Sequence, residues 1–186
     1  MKKLTAKDMA ICGLFAALIG VGAFIKISIP IEPFPMHITL QLFFVLLAGL
    51  VLGGKRGALS VGIYLLVGLL GIPVFAAGGG LSYLIRPTFG FLLGFVFAAF
   101  VTGILGTNRK RSGVKWNLFA AFWGMMSYYF CGVVYFYVIS NYVISMPVTW
   151  KVVIVNCFLI TVAEDVVLCI LAAVMAKRLR RAVNWE

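Results

Sequence analysis

Apolar residues run along this chain in long stretches, and the polar residues fall in short clusters between them. A helix that crosses a membrane needs about 20 mostly apolar residues. Reading between charges and turn signals predicts six helical spans, near 9–25, 38–52, 58–72, 88–105, 118–139 and 152–176. The second and third are short, which allows tilt or re-entry. The connection 26–37 holds Pro30, Pro33 and Pro35, which fix φ and remove backbone donors, so it cannot be helical. No linker, repeat or low-complexity tract interrupts the pattern, and 1–186 reads as a single domain.

Composition turns this pattern into a class. Hydrophobic residues are 63% of the 186, and charged residues 11%, against roughly 25% in soluble domains. Mean hydropathy is +1.11. A soluble fold of this size has too little interior to hide that much apolar surface. Disorder, a disulfide miniprotein and a soluble enzyme are excluded. The net charge of +11 would suit nucleic acid, but the basic residues are too sparse between the apolar runs. The expected fold is an all-α integral membrane protein, a six-transmembrane-helix bundle in the lipid bilayer.

The charges also give an orientation. One set of connections carries Lys2, Lys3 and Lys7; Lys55 and Arg56; Arg109, Lys110, Arg111 and Lys115; and Lys177, Arg178, Arg180 and Arg181. The other set carries only Lys26, Arg86 and Lys151. The positive-inside rule places the first set, and both termini, in the cytoplasm. Lys2 and Lys3 before an apolar run fit a secretory signal loosely, but no cleavage site follows.

Candidate chemistry lies on the opposite side and within the spans. The apolar, proline-rich loop Pro30–Pro35 reads either as an interfacial loop or as a lid over a cavity. Gly78, Gly79 and Gly80 allow close backbone approach to a ligand, and Tyr83 and Arg86 follow them. Arg86 suits a carboxylate through paired hydrogen bonds, or simply snorkels to the interface. Glu164 and Asp165 lie near the middle of the sixth span. A central acid costs about 2.5–3.5 kcal/mol on insertion scales, so at least one should face a polar cavity or a basic partner. Thr161 shares the face of Asp165, and Asn156 lies nearer that of Glu164. Tyr128, Cys131, Tyr135 and Tyr142 recur at roughly heptad spacing, which predicts one face turned into the bundle.

Two stripes of small residues predict close helix approach. One is Ala6, Ala10, Gly13, Ala17 and Gly20; the other is Gly90, Gly94, Ala98, Thr102 and Gly106. One should serve internal packing and the other a partner protein. His37 is the lone histidine, and Cys12, Cys131, Cys157 and Cys169 lack metal or redox spacing, so free buried thiols are expected and no metal. Gly49–Lys55 starts like a phosphate-binding loop, but Arg56 stands where Ser or Thr must hold magnesium. ATP hydrolysis by this chain is excluded.

Taken in order, several elements resemble one family. They are Pro33-x-Pro35 with Thr39-Leu40-Gln41; Leu52-Gly53-Gly54-Lys55-Arg56-Gly57; Gly71-Ile72-Pro73-Val74-Phe75-Ala76; and Arg86-Pro87-Thr88-Phe89-Gly90-Phe91-Leu92-Leu93-Gly94-Phe95. Together they look like BioY, the biotin-binding S component of energy-coupling factor (ECF) vitamin transporters. The resemblance implies high-affinity biotin binding near the outer face of a bacterial cytoplasmic membrane, and no cofactor. The implied partners are an ECF transmembrane coupling subunit and two cytoplasmic ATPase subunits. It implies that the Ala6–Gly20 stripe docks on the coupling subunit and that Asp165, rather than Glu164, meets the ureido ring. Members often have Lys three residues beyond that Asp; here the residue is Leu168, so Arg86 or Lys151 must supply the cation. The implied site adds Thr39, Gln41, Tyr135 and Asn156, with Tyr83, Gly79 and Gly80 shaping the outer wall. Alternatives are an S component for another vitamin, an intramembrane enzyme using Glu164 and Asp165, and a proton-coupled carrier.

Overall fold

The first helix starts where the sequence can satisfy its free N–H groups. The Thr5 hydroxyl accepts from the Asp8 amide at 3.2 Å, and the Asp8 carboxylate accepts from the Thr5 amide at 3.1 Å. This reciprocal cap opens α1, Ala6–Phe24. Asp8 is buried and also pairs with Arg56 at 3.1 Å. The computed structural model describes residues 5–29, 36–107 and 113–182. The Pro30–Pro35 loop and the cations Lys2, Lys3, Arg109, Lys110 and Arg111 lie outside the described residues.

Beyond α1 the chain forms an antiparallel hairpin, β1 (Lys26–Ile29) and β2 (Met36–Thr39), pairing Lys26 with Thr39 and Ser28 with His37. Then come α2 (Gln41–Leu52) and α3 (Gly54–Leu69), joined at Gly53. Gly53 has φ +84°, a left-handed turn that a side chain would strain. A 3-10 turn, Leu81–Ile85, leads to α4 (Phe89–Gly106) and then α5 (Val114–Val138), which ends in a π turn, Ile139–Val143. The last span is α6 (Trp150–Ile154), a second π turn (Val155–Leu159) and α7 (Val162–Ala182).

The six predicted spans correspond to α1, α2, α3, α4, α5 and the α6–α7 run, with ends shifted by a few residues. Four of these are long and apolar enough to cross a membrane; α2 is a shorter apolar helix. Its short length reflects its position: nearly every residue of α2 is buried by its neighbours. The hairpin and π turns are departures from the expected pattern. The last span runs past 176 because Arg180 bonds the Leu50 carbonyl at the end of α2, from Nε at 2.7 Å and also from Nη2.

The two stripes play different parts. Gly90, Gly94, Ala98, Thr102 and Gly106 are all buried, the first two against Tyr135 and Tyr128 of α5. Ala6, Ala10 and Ala17 are exposed, and Gly13 has nothing within 4 Å of where a Cβ would stand. Only Gly20 of that stripe is buried. The α4 stripe is internal, and the α1 stripe faces outward.

Of the expected heptad face, Tyr128 and Tyr135 turn inward against α4, and Tyr142 is the departure. Tyr129, Gly132 and Phe136 are buried, and Tyr142 is 77% exposed. The π turn, closed by Ile144 N–H on the Ile139 carbonyl at 3.1 Å, adds a residue per turn and rotates Tyr142 off the face.

A Cβ on Gly94 would stand 2.7 Å from the Tyr128 carbonyl oxygen. Gly94→Ala should therefore force α4 from α5, at an overpacking cost of about 1–3 kcal/mol. The thermal midpoint in detergent should fall, whereas Gly13→Ala should leave it unchanged.

Candidate ligand-binding site

The hairpin sequences alternate polar and apolar positions, so one face of the strand pair is polar. Lys26, Ser28, His37 and Thr39 share it, and Ile27 on the other face is 68% exposed. The polar face closes over a cavity of about 60 Å³, which His37, Thr39 and Gln41 line from this side. Phe91, Leu92 and Phe95 of α4 and Tyr128 of α5 form the opposite wall, and Ala76, Tyr83 and Thr88 complete it. The Phe95 and Tyr128 rings stack at 5.2 Å and 5°, and Phe91 tilts against Tyr128 at 5.2 Å. Such a wall suits a flat or bicyclic apolar ligand.

The rim is cationic. Arg86 is exposed, with its guanidinium 5.0 Å from the centre of the Tyr83 ring. Lys26 donates to the carbonyl of the cavity-lining Ala76. His37 Nδ1 lies 2.9 Å from Ser28 Oγ across the hairpin. Partial burial, then the charges of Lys26 and Arg86, hold the His37 pKa below its ordinary 6.5. Burial raises the Tyr83 pKa, against a backbone hydrogen bond at Ala77 and the Arg86 charge, so Tyr83 stays a neutral phenol.

Behind the aromatic wall lies the buried acid. Tyr128 and Tyr129 are adjacent, their rings edge to face at 5.0 Å. The Tyr129 hydroxyl bonds the Asp165 carboxylate, and it lies 2.9 Å from Thr161 Oγ1. Asp165 and Thr161 share a face, as their spacing predicts, and both are buried. Asp165 is thus one aromatic layer from the cavity, not on its lining. Glu164 on the next face is half-buried.

Of the expected site residues, Tyr83, Thr39 and Gln41 line the cavity, and Arg86 stands on Tyr83. Tyr135 is a supporting residue: its hydroxyl donates to the Leu84 carbonyl at 2.6 Å and its ring packs on Phe89. Gly79 and Gly80 fasten the loop to α3 instead of forming a wall. Gly80 N–H bonds the Gly68 carbonyl at 2.8 Å, and Gly79 packs against the Ile72 carbonyl. Asn156 is half-buried in the second π turn, and Lys151 is exposed on α6; neither lines the cavity. His37, Tyr128, Tyr129 and Lys26 were absent from the expected set. Polar alternation in the hairpin and the paired tyrosines are the signals that mark them. The four cysteines are free.

Comparison with known proteins places this architecture. A family model described as the BioY family matches residues 1–185. The chain belongs to the BioY family. It is 39% identical to "Probable biotin transporter BioY" of Lysinibacillus sphaericus, over 96% of this chain and 89% of the relative. It is 41% identical to the biotin transporter BioY of Thermotoga maritima, over 91% of this chain and 93% of the relative. Its fold superposes with a TM-score of 0.80 on a crystal structure of the S component for biotin from an ECF-type ABC transporter. That likeness covers 94% of this chain and 91% of the other, at 26% identity. This BioY-family chain, with its long apolar helices, is a multi-pass membrane protein.

Because the folded state depresses the His37 pKa, its contribution to stability is full above pH 6.5 and declines as pH falls through the folded value. Lowering the pH from 7.5 to 5.5 should reduce the thermal midpoint more in the native chain than in His37→Gln. Parallel pH profiles would count against a lowered His37 pKa.

Proposed function

We propose that this chain is the biotin-binding membrane subunit of an ATP-driven ECF transporter, mediating biotin uptake across the bacterial cytoplasmic membrane. The observation that carries the reading is the match of nearly the whole chain to the BioY family and to relatives named as biotin transporters. The cavity supports it chemically. Biotin has a ureido ring with two N–H donors, an apolar thioether ring and a carboxylate tail. The rings lie along Phe91, Phe95 and Tyr128, with the ureido end toward Asp165 and the tail toward the rim.

Arg86 is the cation for the carboxylate, by paired hydrogen bonds. It stands on a cavity-lining ring, whereas Lys151 is exposed on α6. Leu168, where relatives often carry Lys, is buried and adds no charge. The Tyr129 hydroxyl is the polar group that accompanies Asp165 instead. Asp165 does not line the cavity, so direct contact with the ligand requires wall side chains to shift.

Both termini face the cytoplasm in this reading, as the basic connections favour. The outward small-residue stripe Ala6, Ala10, Gly13, Ala17 and Gly20 docks on the transmembrane coupling subunit, which joins it to two ATPases. Biotin release follows reorientation of the whole bundle in the membrane.

Titration of the purified chain with biotin, thiamine and riboflavin should give tight binding of biotin alone. Asp165→Asn and Arg86→Ala should each weaken it by tenfold or more, as expected for loss of a charge-assisted hydrogen bond. Unchanged affinity in both would sink the residue assignment. Vesicles holding this chain without ATPases should show no concentrative uptake; accumulation there would contradict ATP coupling.

A further inference from the structure

One tyrosine lines a second void and bonds a residue of the ligand cavity. The Tyr64 ring on α3 lines an apolar groove of about 390 Å³ between α1 and α3, beside Ala17 and Gly20. Its hydroxyl accepts from Gln41 Nε2 at 2.6 Å and donates to the Val74 carbonyl at 3.3 Å. Gln41 lines the ligand cavity and, like Tyr64, is 2% exposed. Its Oε1 accepts from Thr39 Oγ1, also on the cavity, at 3.3 Å.

These bonds fix the amide. Val74 offers only an acceptor, so the Tyr64 proton goes there and its oxygen takes an N–H from Gln41. The Gln41 nitrogen is turned toward Tyr64 and its oxygen toward Thr39. One amide N–H remains for a cavity ligand. Without the phenol the amide could rotate, because Thr39 can donate or accept.

We propose that Tyr64 is a positioning residue that holds the Gln41 amide for the ligand, and that packing on the α1–α3 groove is felt in the cavity through it. The proposal rests on reading the cavity as the biotin site. A Cβ on Gly20 would stand 3.9 Å from two Tyr64 ring carbons, an ordinary contact. A longer side chain directed at the ring would press on it. On another side the ring meets Phe75 edge-on at 5.4 Å, and Phe75 in turn packs on Tyr83 at 4.7 Å. Phe75 backs the ring on one side, and a side chain that displaces it strains the bond to Gln41.

The test is biotin titration calorimetry on the full chain in detergent, with melting temperatures alongside. Tyr64→Phe should weaken binding about 3- to 10-fold, the range of one hydrogen bond. In a Gln41→Ala background the same change should have no further effect, because coupled residues are not additive. Gly20→Leu should weaken binding in the native background and not in Tyr64→Phe, while Gly20→Ala should leave it unchanged. Native affinity in Tyr64→Phe, or an equal loss with and without Gln41, would overturn the proposal. The Tyr64–Gln41 cycle decides this even if Gly20→Leu does not fold. Failure of the native chain to bind biotin would instead overturn the functional reading.

Discussion

The seam between α4 and α5 is the constraint on which the rest of the molecule depends. In a chain this apolar, hydrophobic burial does not choose one helix pairing over another, because lipid tails would cover the same surface. Small residues choose instead. Gly90 and Gly94 let α4 approach α5 until backbone and Cβ atoms of Tyr128 and Tyr135 are in contact. Only at that separation does Phe95 stack on Tyr128 and form the aromatic wall. The wall then fixes the adjacent Tyr129, whose hydroxyl satisfies Asp165.

Polar groups hold this packing to one arrangement. Each buried polar side chain that reaches into the bundle is an expense unless it meets a partner. Asp8 meets Thr5 and Arg56, Gln41 meets Thr39 and Tyr64, and Asp165 meets Tyr129. These contacts are spread from one end of the bundle to the other. They tie α1 to α3, α2 to α3 and α5 to α7, complementing the helix contacts that glycines set.

Much of the fold was legible in the pattern of charges and apolar runs, since crossing a bilayer imposes length and composition together. The two small-residue stripes were visible as well, but not their directions. Which stripe is internal depends on what faces it, and only the fold brings Tyr128 to Gly94 and leaves Gly13 open. The site was half legible. Arg86, Tyr83 and Gln41 fall at the cavity because their motifs are local turns and helix starts. Asn156 and Lys151 do not, and Tyr142 turns outward. Asn156 and Tyr142 lie within π turns and Lys151 on the helix between them, and such turns change the helical phase without leaving a composition signal. The hairpin was hidden by its prolines, which exclude helix but do not announce a strand. His37 and Lys26 were therefore not among the expected site residues.

That hairpin is a thin partition with two unlike sides. His37 and Thr39 are presented to the cavity, while Ile27 is turned to the surroundings. Because side chains alternate strictly along a strand, its register is a phase as well as an alignment. A shift of one position would put aliphatic side chains against the cavity and cationic ones on the opposite face. A single-residue insertion within either strand would therefore exchange its two faces. The two faces of this strand pair are assigned by parity, one residue at a time.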